Sequence, residues 1–133
     1  MHKLFMIMVL IFVILPVKAI NYPEEYGTII KGAVNGKEYC WGKKNSNWWN
    51  AITWCDVLEL QPINIQEDCA CSDTVANCIN KCPNFAGLGR TDQKLWMQDV
   101  PNASQGYIVQ LSGGAILTGV RSALGMHEFP GCK

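Results

Sequence analysis

Charge is scarce in this sequence and has no preferred sign. Asp, Glu, Lys and Arg make up 17% of the 133 residues, with 11 acidic and 11 basic side chains. No basic patch or run of like charges is present, so the sequence gives no electrostatic reason to expect a nucleic-acid or anionic-lipid partner. No internal repeat is present either, which argues against a repeat architecture.

The sequence patterns of common enzyme sites are missing too. The chain has no phosphate-binding loop, no nucleophile elbow and no dinucleotide fingerprint. A Cys or Ser nucleophile with His127 as its base is an alternative, but a lone histidine is more often a surface or packing residue. The adjacent acids Glu67-Asp68 are expected to be solvated, because paired catalytic carboxylates must face each other across a cleft. We therefore expect no enzymatic activity, no cofactor and no metal.

The one long apolar run lies at the N terminus, from Leu4 to Leu15. It has about twelve residues, whereas a membrane-spanning helix needs roughly twenty. Lys3 precedes the run, and Pro16 and Val17-Lys18-Ala19 follow it, which is the pattern of a secretory signal peptide cleaved after Ala19. The alternative is an uncleaved N-terminal anchor. We predict a signal peptide over residues 1–19 and a single secreted domain over residues 20–133, free of the membrane after cleavage.

All seven cysteines lie in the predicted domain, and an exported chain forms disulfides in an oxidising compartment. Because seven is odd, one cysteine is free or pairs between chains. Four cysteines are close together, and we expect them to pair among themselves: Cys69, Cys71, Cys78 and Cys82. A zinc site is the alternative for these four, although their spacing departs from the usual pairs of zinc ligands.

One helix is predicted from Trp48 to Leu60. Ser46 or Asn47 can cap its first turn, and Pro62 is expected to end it. Its apolar stripe follows the helical spacing of 3.6 residues per turn and consists of Trp48, Ala51, Ile52, Cys55 and Leu58. Trp49 and Trp54 lie off this stripe. We expect both to cover neighbouring strands; the alternative is that one is exposed, where it could stack on a sugar ring or anchor a protein.

Short strands and turns account for most of the rest of the domain. Asn35-Gly36 is a strong hairpin signal between strands at residues 27–34 and 37–41. A half-buried strand is predicted from Ile63 to Gln66 and another from Lys94 to Gln98. Ser112-Gly113-Gly114 predicts a second hairpin between strands at residues 107–111 and 115–120. The predicted class is α+β, rich in loops and stapled by disulfides.

The order of these parts resembles the C-type lectin-like domain. Trp48, Ala51 and Cys55 match the family's helix motif, and Cys132 matches its closing cysteine. The segment from Leu95 to Arg121 is also similar to the end of small bacterial exported lectin-like proteins. The resemblance covers residues 27–133 and implies short antiparallel strands and hairpins around one main helix. It also implies a disulfide between Cys55 and Cys132, which would leave Cys40 as the odd cysteine.

Several residues depart from the family pattern. Glu59 stands where the family usually has glycine, and Pro62 where leucine is common. Val100-Pro101-Asn102 is the nearest match to the family's calcium-binding triplet, with valine in place of the acid. Calcium takes six to eight oxygen ligands, and Asp99 and Asn102 alone cannot supply them. We therefore expect the lectin-like fold without its calcium site.

These observations predict a secreted, non-enzymatic binding module that recognises a glycan or a protein surface without calcium. The ligand is expected at the loops between Phe85 and Gly106, with Trp96, Asp99 and Asn102 as its binding residues. One alternative is a structural or adhesion component of an exported assembly, joined as a disulfide-linked dimer through Cys40. Another is a reduced relative of the formylglycine-generating enzymes, which share the lectin-like fold.

Overall fold

The computed structural model describes residues 27–71 and 81–133, which form an α+β domain with one main helix and two sheets. The elements are β1 (Gly27–Lys31), β2 (Glu38–Gly42), α1 (Trp48–Val57), α2 (Ile65–Asp68), a 3₁₀ turn (Pro83–Phe85), β3 (Lys94–Trp96), β4 (Gln105–Gln110), β5 (Ile116–Val120), β6 (Glu128–Phe129) and β7 (Gly131–Cys132). The first sheet has the order β1-β2-β7 and the second β5-β4-β3-β6. No helix within the described ranges is long and apolar enough to cross a membrane.

Both predicted hairpins are confirmed. β1 and β2 pair antiparallel around a turn in which Gly36 has a φ of +68°, a left-handed conformation that glycine adopts without a steric cost. β4 and β5 pair antiparallel, and Gly114 in their connection has a φ of +74°. A Cβ on Gly114 would also clash with the carbonyl oxygen of Cys82. The turn residues therefore fix both registers.

The C-terminal strand β7 closes the first sheet and links it to α1. Cys132 lies opposite Cys40 in the antiparallel β2–β7 ladder. Its disulfide is with Cys55 of α1, over a Cα–Cα distance of 5.6 Å. The predicted Cys55–Cys132 bond is thus confirmed. Because it closes a loop with a sequence separation of 77, it stabilises the domain by about 4–5 kcal/mol in the chain-entropy model.

The segment of clustered cysteines is stapled as predicted. Cys69 and Cys82 form a disulfide with a Cα–Cα distance of 4.4 Å, and Cys71 is disulfide-bonded as well. These bonds confirm disulfides in place of the zinc alternative for the three cysteines that the structure describes. Cys78 and the predicted signal peptide lie outside the described residues.

Helix α1 begins where the sequence predicts and ends earlier. Asn47 is the N-cap, and its Oδ1 accepts a hydrogen bond of 2.8 Å from the Asn50 N–H. The helix ends at Val57, three residues before the predicted Leu60. The Leu60 N–H donates to the Cys55 carbonyl and the Glu59 N–H to the Asp56 carbonyl, which is the Schellman pattern of helix termination. The capping turn, and not Pro62, therefore ends this helix.

The strand predicted from Ile63 to Gln66 is wrong. Asn64 instead caps the short helix α2, accepting a hydrogen bond of 2.8 Å from the Glu67 N–H. Ile63 and Ile65 are nevertheless both buried in the core. The alternation of apolar and polar residues suits a strand, but the capping amide of Asn64 favours a helical turn.

Asp68 contradicts the expectation that it is solvated, since its side chain is fully buried. Its Oδ1 accepts a hydrogen bond of 2.9 Å from the Tyr39 hydroxyl. Its Oδ2 accepts one of 2.9 Å from the Asn64 N–H and pairs with the Lys133 ammonium at 2.7 Å. Burial raises the pKa of Tyr39 to about 12, so this hydroxyl stays a donor at neutral pH. Asn84 completes the cluster by donating to the Asp68 carbonyl at 2.8 Å.

Replacing Glu59 with glycine is expected to stabilise the protein. Glu59 has a φ of +59°, which costs a residue with a Cβ about 1 kcal/mol relative to glycine. Glu59→Gly should therefore raise the free energy of unfolding by about 0.5–1 kcal/mol, measured by urea denaturation. Glu59→Ala is the matched control, because it removes the exposed carboxylate and keeps the Cβ. Equal stability of the two variants would contradict this explanation.

Removing the Asp68 carboxylate is expected to be severely destabilising. Asp68→Ala leaves the ammonium of Lys133, which is 8% exposed, without its buried partner, and the loss of such a partner costs about 3–5 kcal/mol. Glu67→Ala is the control, because Glu67 contacts the same ammonium at 3.2 Å but is 60% exposed. Its effect on the urea midpoint should be much smaller. Similar losses from both substitutions would count against the central role of Asp68.

Candidate ligand-binding site

Trp96, the first predicted ligand-binding residue, lies in the core. Its side chain packs with Trp48, Ala51 and Ile108, and the residue is 2% exposed. The indole N–H donates a hydrogen bond of 2.8 Å to the Ser46 carbonyl. The Trp96 ring is therefore not accessible to a ligand in solvent. Its hydrogen bond connects β3 to the segment before α1.

Asp99 holds the start of the loop between β3 and β4. Its Oδ2 accepts a hydrogen bond of 2.8 Å from the Ile65 N–H, at the first turn of α2. Its backbone carbonyl accepts one of 3.1 Å from the Tyr107 N–H. Asp99 thus connects this loop to α2 through its carboxylate and to β4 through its backbone carbonyl.

Asn102 organises the exposed tip of the same loop. Its Oδ1 accepts hydrogen bonds from the Ser104 N–H at 3.0 Å, the Ser104 hydroxyl at 3.0 Å and the Gln105 N–H at 2.9 Å. Its amide nitrogen donates to Gln105 Oε1 at 2.8 Å. Trp96, Asp99 and Asn102 therefore have different hydrogen-bond partners. The surface that Asn102 supports consists of the exposed residues 100–104.

Trp49 is an exposed aromatic residue that the predicted site did not include. It lies in the first turn of α1 and is 53% exposed, so the expectation that it covers a strand is wrong. Its ring meets that of Trp48 edge to face, with the centroids 4.9 Å apart and an interplanar angle of 90°. Trp54 behaves as expected and packs beside the Cys55–Cys132 disulfide.

Arg121 occupies the corner between these two perpendicular rings. Its guanidinium carbon lies 3.9 Å from the ring centroid of Trp48 and 4.1 Å from that of Trp49. Cation–π contacts of this kind are favourable by about 0.5–2 kcal/mol each. Trp48, Trp49 and Arg121, together with the neighbouring backbone of Ala103 and Ser104, are called the Trp49–Arg121 site below.

Backbone hydrogen bonds fix the position of Arg121 from both sides. Its N–H donates to the Ser104 carbonyl at 2.8 Å, and its carbonyl accepts from the Trp48 N–H at 3.1 Å. Its Nη1 donates to the Ala103 carbonyl at 3.0 Å. Gly106 is required close by, because a Cβ there would lie 2.6 Å from the Trp48 ring. The loop tip, the end of β5 and the start of α1 therefore meet at one residue.

The charge of Arg121 has no carboxylate partner in the described part of the chain. Its Nε is buried and has no hydrogen-bond acceptor among the described residues. A guanidinium has five N–H donors, of which one is used by Ala103. An exposed aromatic ring can stack on a sugar, and a neighbouring guanidinium without a carboxylate partner among the described residues can donate hydrogen bonds to that sugar.

The sequence carried two weak signals for this site. Arg121 ends the segment that is similar to small bacterial exported lectin-like proteins, and Trp49 lies off the helix stripe. Neither signal brings the two residues together, since they are far apart in sequence and meet only because β5 ends beside the N terminus of α1. The structure therefore supplies a site that the predicted set of Trp96, Asp99 and Asn102 omitted, although Asn102 shapes its loop.

Cys40 and His127, the other residues considered for chemistry, lie elsewhere. Cys40 is free, fully buried and packed against the Cys55–Cys132 disulfide. Burial raises the pKa of its thiol to about 12. His127 is exposed in the connection between β5 and β6, where its carbonyl accepts from the Lys94 N–H. The burial of Cys40 leaves no surface from which it could join a second folded chain.

Comparison with known proteins adds no assignment. No protein-family model matches the sequence, and no curated protein matches it. Function is therefore inferred from the residues of the Trp49–Arg121 site and from the resemblance described above.

Cys40 is expected to resist thiol reagents until the protein unfolds. At pH 8 its thiol stays protonated, because its pKa is about 12, and the thiolate is the reactive form. Iodoacetamide without reductant should leave Cys40 unmodified in buffer and label it in 8 M urea, as peptide mapping can show. Cys40→Ala is the blank for this experiment. Rapid labelling of the folded protein would contradict the buried position and reopen the dimer through Cys40.

Proposed function

We propose that this protein is a secreted, non-enzymatic binding module of C-type lectin-like fold that recognises a glycan without calcium. The observation that carries the proposal is the exposed residue Trp49 beside the guanidinium of Arg121, which has no carboxylate partner among the described residues. Protein sites for sugars combine an aromatic face, which stacks on the C–H groups of the ring, with fixed hydrogen-bond donors. Both parts are present at this surface.

The arrangement of the fold supports the lectin-like assignment. One main helix lies between two hairpins, and the Cys55–Cys132 disulfide ties it to the C-terminal strand. This is the staple that the resemblance implies. The disulfides also support an oxidising location, since such bonds persist outside the cytosol. Together with the predicted signal peptide, they favour secretion.

The polar residues of the β3–β4 loop support binding without calcium. One carboxylate oxygen of Asp99 and the amide oxygen of Asn102 accept backbone N–H groups. A calcium ion would have to compete with these hydrogen bonds for oxygen ligands. Val100 stands where the family's triplet supplies a carboxylate, so the oxygen set is also too small.

A protein ligand is the second candidate. It is favoured by the exposed apolar side chains near the end of β5, of which Val120 is 51%, Leu124 69% and Met126 77% exposed. Such side chains are typical of protein-binding surfaces when they form a patch. The adhesion alternative through Cys40 has less support, because that thiol is buried.

Trp49→Ala is expected to weaken glycan binding. Loss of the stacking ring should lower the affinity roughly three- to tenfold, measured by calorimetry on the best ligand from a panel of neutral and acidic glycans. Val57→Ala is the matched control, because Val57 is an exposed apolar residue at the other end of the same helix. EDTA should leave the affinity unchanged. Binding that survives Trp49→Ala, or that disappears in EDTA, would contradict the proposal.

A further inference from the structure

We propose that the glycan bound at the Trp49–Arg121 site is acidic, and that Arg121 binds the carboxylate of its sugar. This inference rests on the proposed function and adds the chemical class of the ligand. It is carried by the contrast between the two arginines of the chain and by the way in which aromatic rings hold one of them.

The two arginines differ in how their charge is compensated. Arg90 pairs with Asp92, its Nε lying 3.2 Å from the carboxylate oxygen. Arg121 forms no ion pair with any described residue, and its buried Nε has no acceptor there. The same chain fully pairs its buried ammonium, Lys133, with Asp68 and Glu67. Of the two guanidinium groups, that of Arg121 is therefore the one without an ion pair among the described residues.

The aromatic rings hold the guanidinium in a fixed orientation. Its carbon lies 3.9 Å and 4.1 Å from two ring centroids that are themselves 4.9 Å apart. These contacts restrict the side chain, and the Ala103 carbonyl holds one of its Nη1 donors. The remaining Nη donors form a rigid fork, which matches the two oxygens of a carboxylate. Less conformational entropy is lost when a restrained donor binds its ligand.

The position of Trp49 favours a sugar as the carrier of this carboxylate. Its ring contacts the Arg121 guanidinium, and the residue as a whole is still 53% exposed. An acidic sugar carries its carboxylate directly on the ring carbons, so one residue of the glycan can stack on Trp49 while its acid reaches Arg121. An acidic peptide carries its carboxylates on flexible side chains, so its acid and an apolar ring face are not held together in one residue.

Matched pairs of acidic and neutral sugars test the inference. The probes are trigalacturonate with its methyl ester, and sialyllactose with lactose. Calorimetry should show at least one acidic member binding tenfold or more tightly than its neutral counterpart, since hydrogen bonds between charged groups are the strong ones. This preference should fall as sodium chloride is raised, because salt screens exposed charges.

Variants of the two arginines identify the residue responsible. Arg121→Gln should abolish the preference, so that acidic and neutral members bind alike, and Arg121→Lys should restore only part of it because the fork is lost. Arg90→Gln is the control and should leave the preference unchanged. Thermal unfolding of each variant separates loss of binding from loss of fold. Trp49→Ala should weaken both members of a pair, and the acidic member more, because it also removes one of the two rings that hold Arg121.

Three other binding results would contradict the inference. Equal, Trp49-dependent binding of acidic and neutral members by the wild-type protein would overturn the acidic ligand and keep the proposed glycan module. No binding of any sugar would overturn both. Arg121-dependent binding of polyglutamate without binding of an acidic sugar would also overturn both and would identify a peptide ligand.

Discussion

The buried carboxylate of Asp68 is the interaction on which most of the fold depends. An ionised group in a protein core is costly unless donors surround it. Its three donors come from β2, from the start of α2 and from the C-terminal residue: Tyr39, Asn64 and Lys133. Asn84 extends the network by accepting from the Val34 and Asn35 N–H groups in the first hairpin. Because these groups are distant in sequence, the carboxylate is satisfied only when all of them are in place, which favours a single arrangement.

The last two residues of the chain connect this network to the candidate site. Lys133 pairs with Asp68, while its neighbour Cys132 is bonded to Cys55 near the C-terminal end of α1. The N-terminal end of the same helix carries Trp48 and Trp49. The helix is thus anchored at one end by a covalent bond and presents its aromatic rings at the other. A binding surface on such an element is held more precisely than one formed by loops alone.

Local chemistry explains which parts of this structure could be predicted from the sequence. Asn35-Gly36 specifies a hairpin because it adopts the required left-handed conformation at small cost, and the helix stripe follows from spacing. The burial of Asp68 could not be predicted, because its partner Lys133 lies 65 positions away and an adjacent acid says nothing about burial. The segment from Ile63 to Gln66 is not the strand that its alternating pattern predicts, because alternation over four residues does not exclude a capped helical turn. The exposure of Trp49 depends on what packs beside the helix, which periodicity does not report.

Arg121 has a structural role and is also the residue proposed to bind the ligand. Its backbone joins the loop tip to the first turn of α1, and its side chain stacks on both tryptophans. These contacts order the guanidinium before any ligand arrives, but they leave its charge without a carboxylate among the described residues. An acidic ligand would supply that acceptor only in the folded state, because the corner between the rings exists only there. Binding would then raise the free energy of unfolding by RT ln(1 + [L]/Kd), so that a ligand held by Arg121 would stabilise the arrangement of loop tip, β5 and α1 that forms its site.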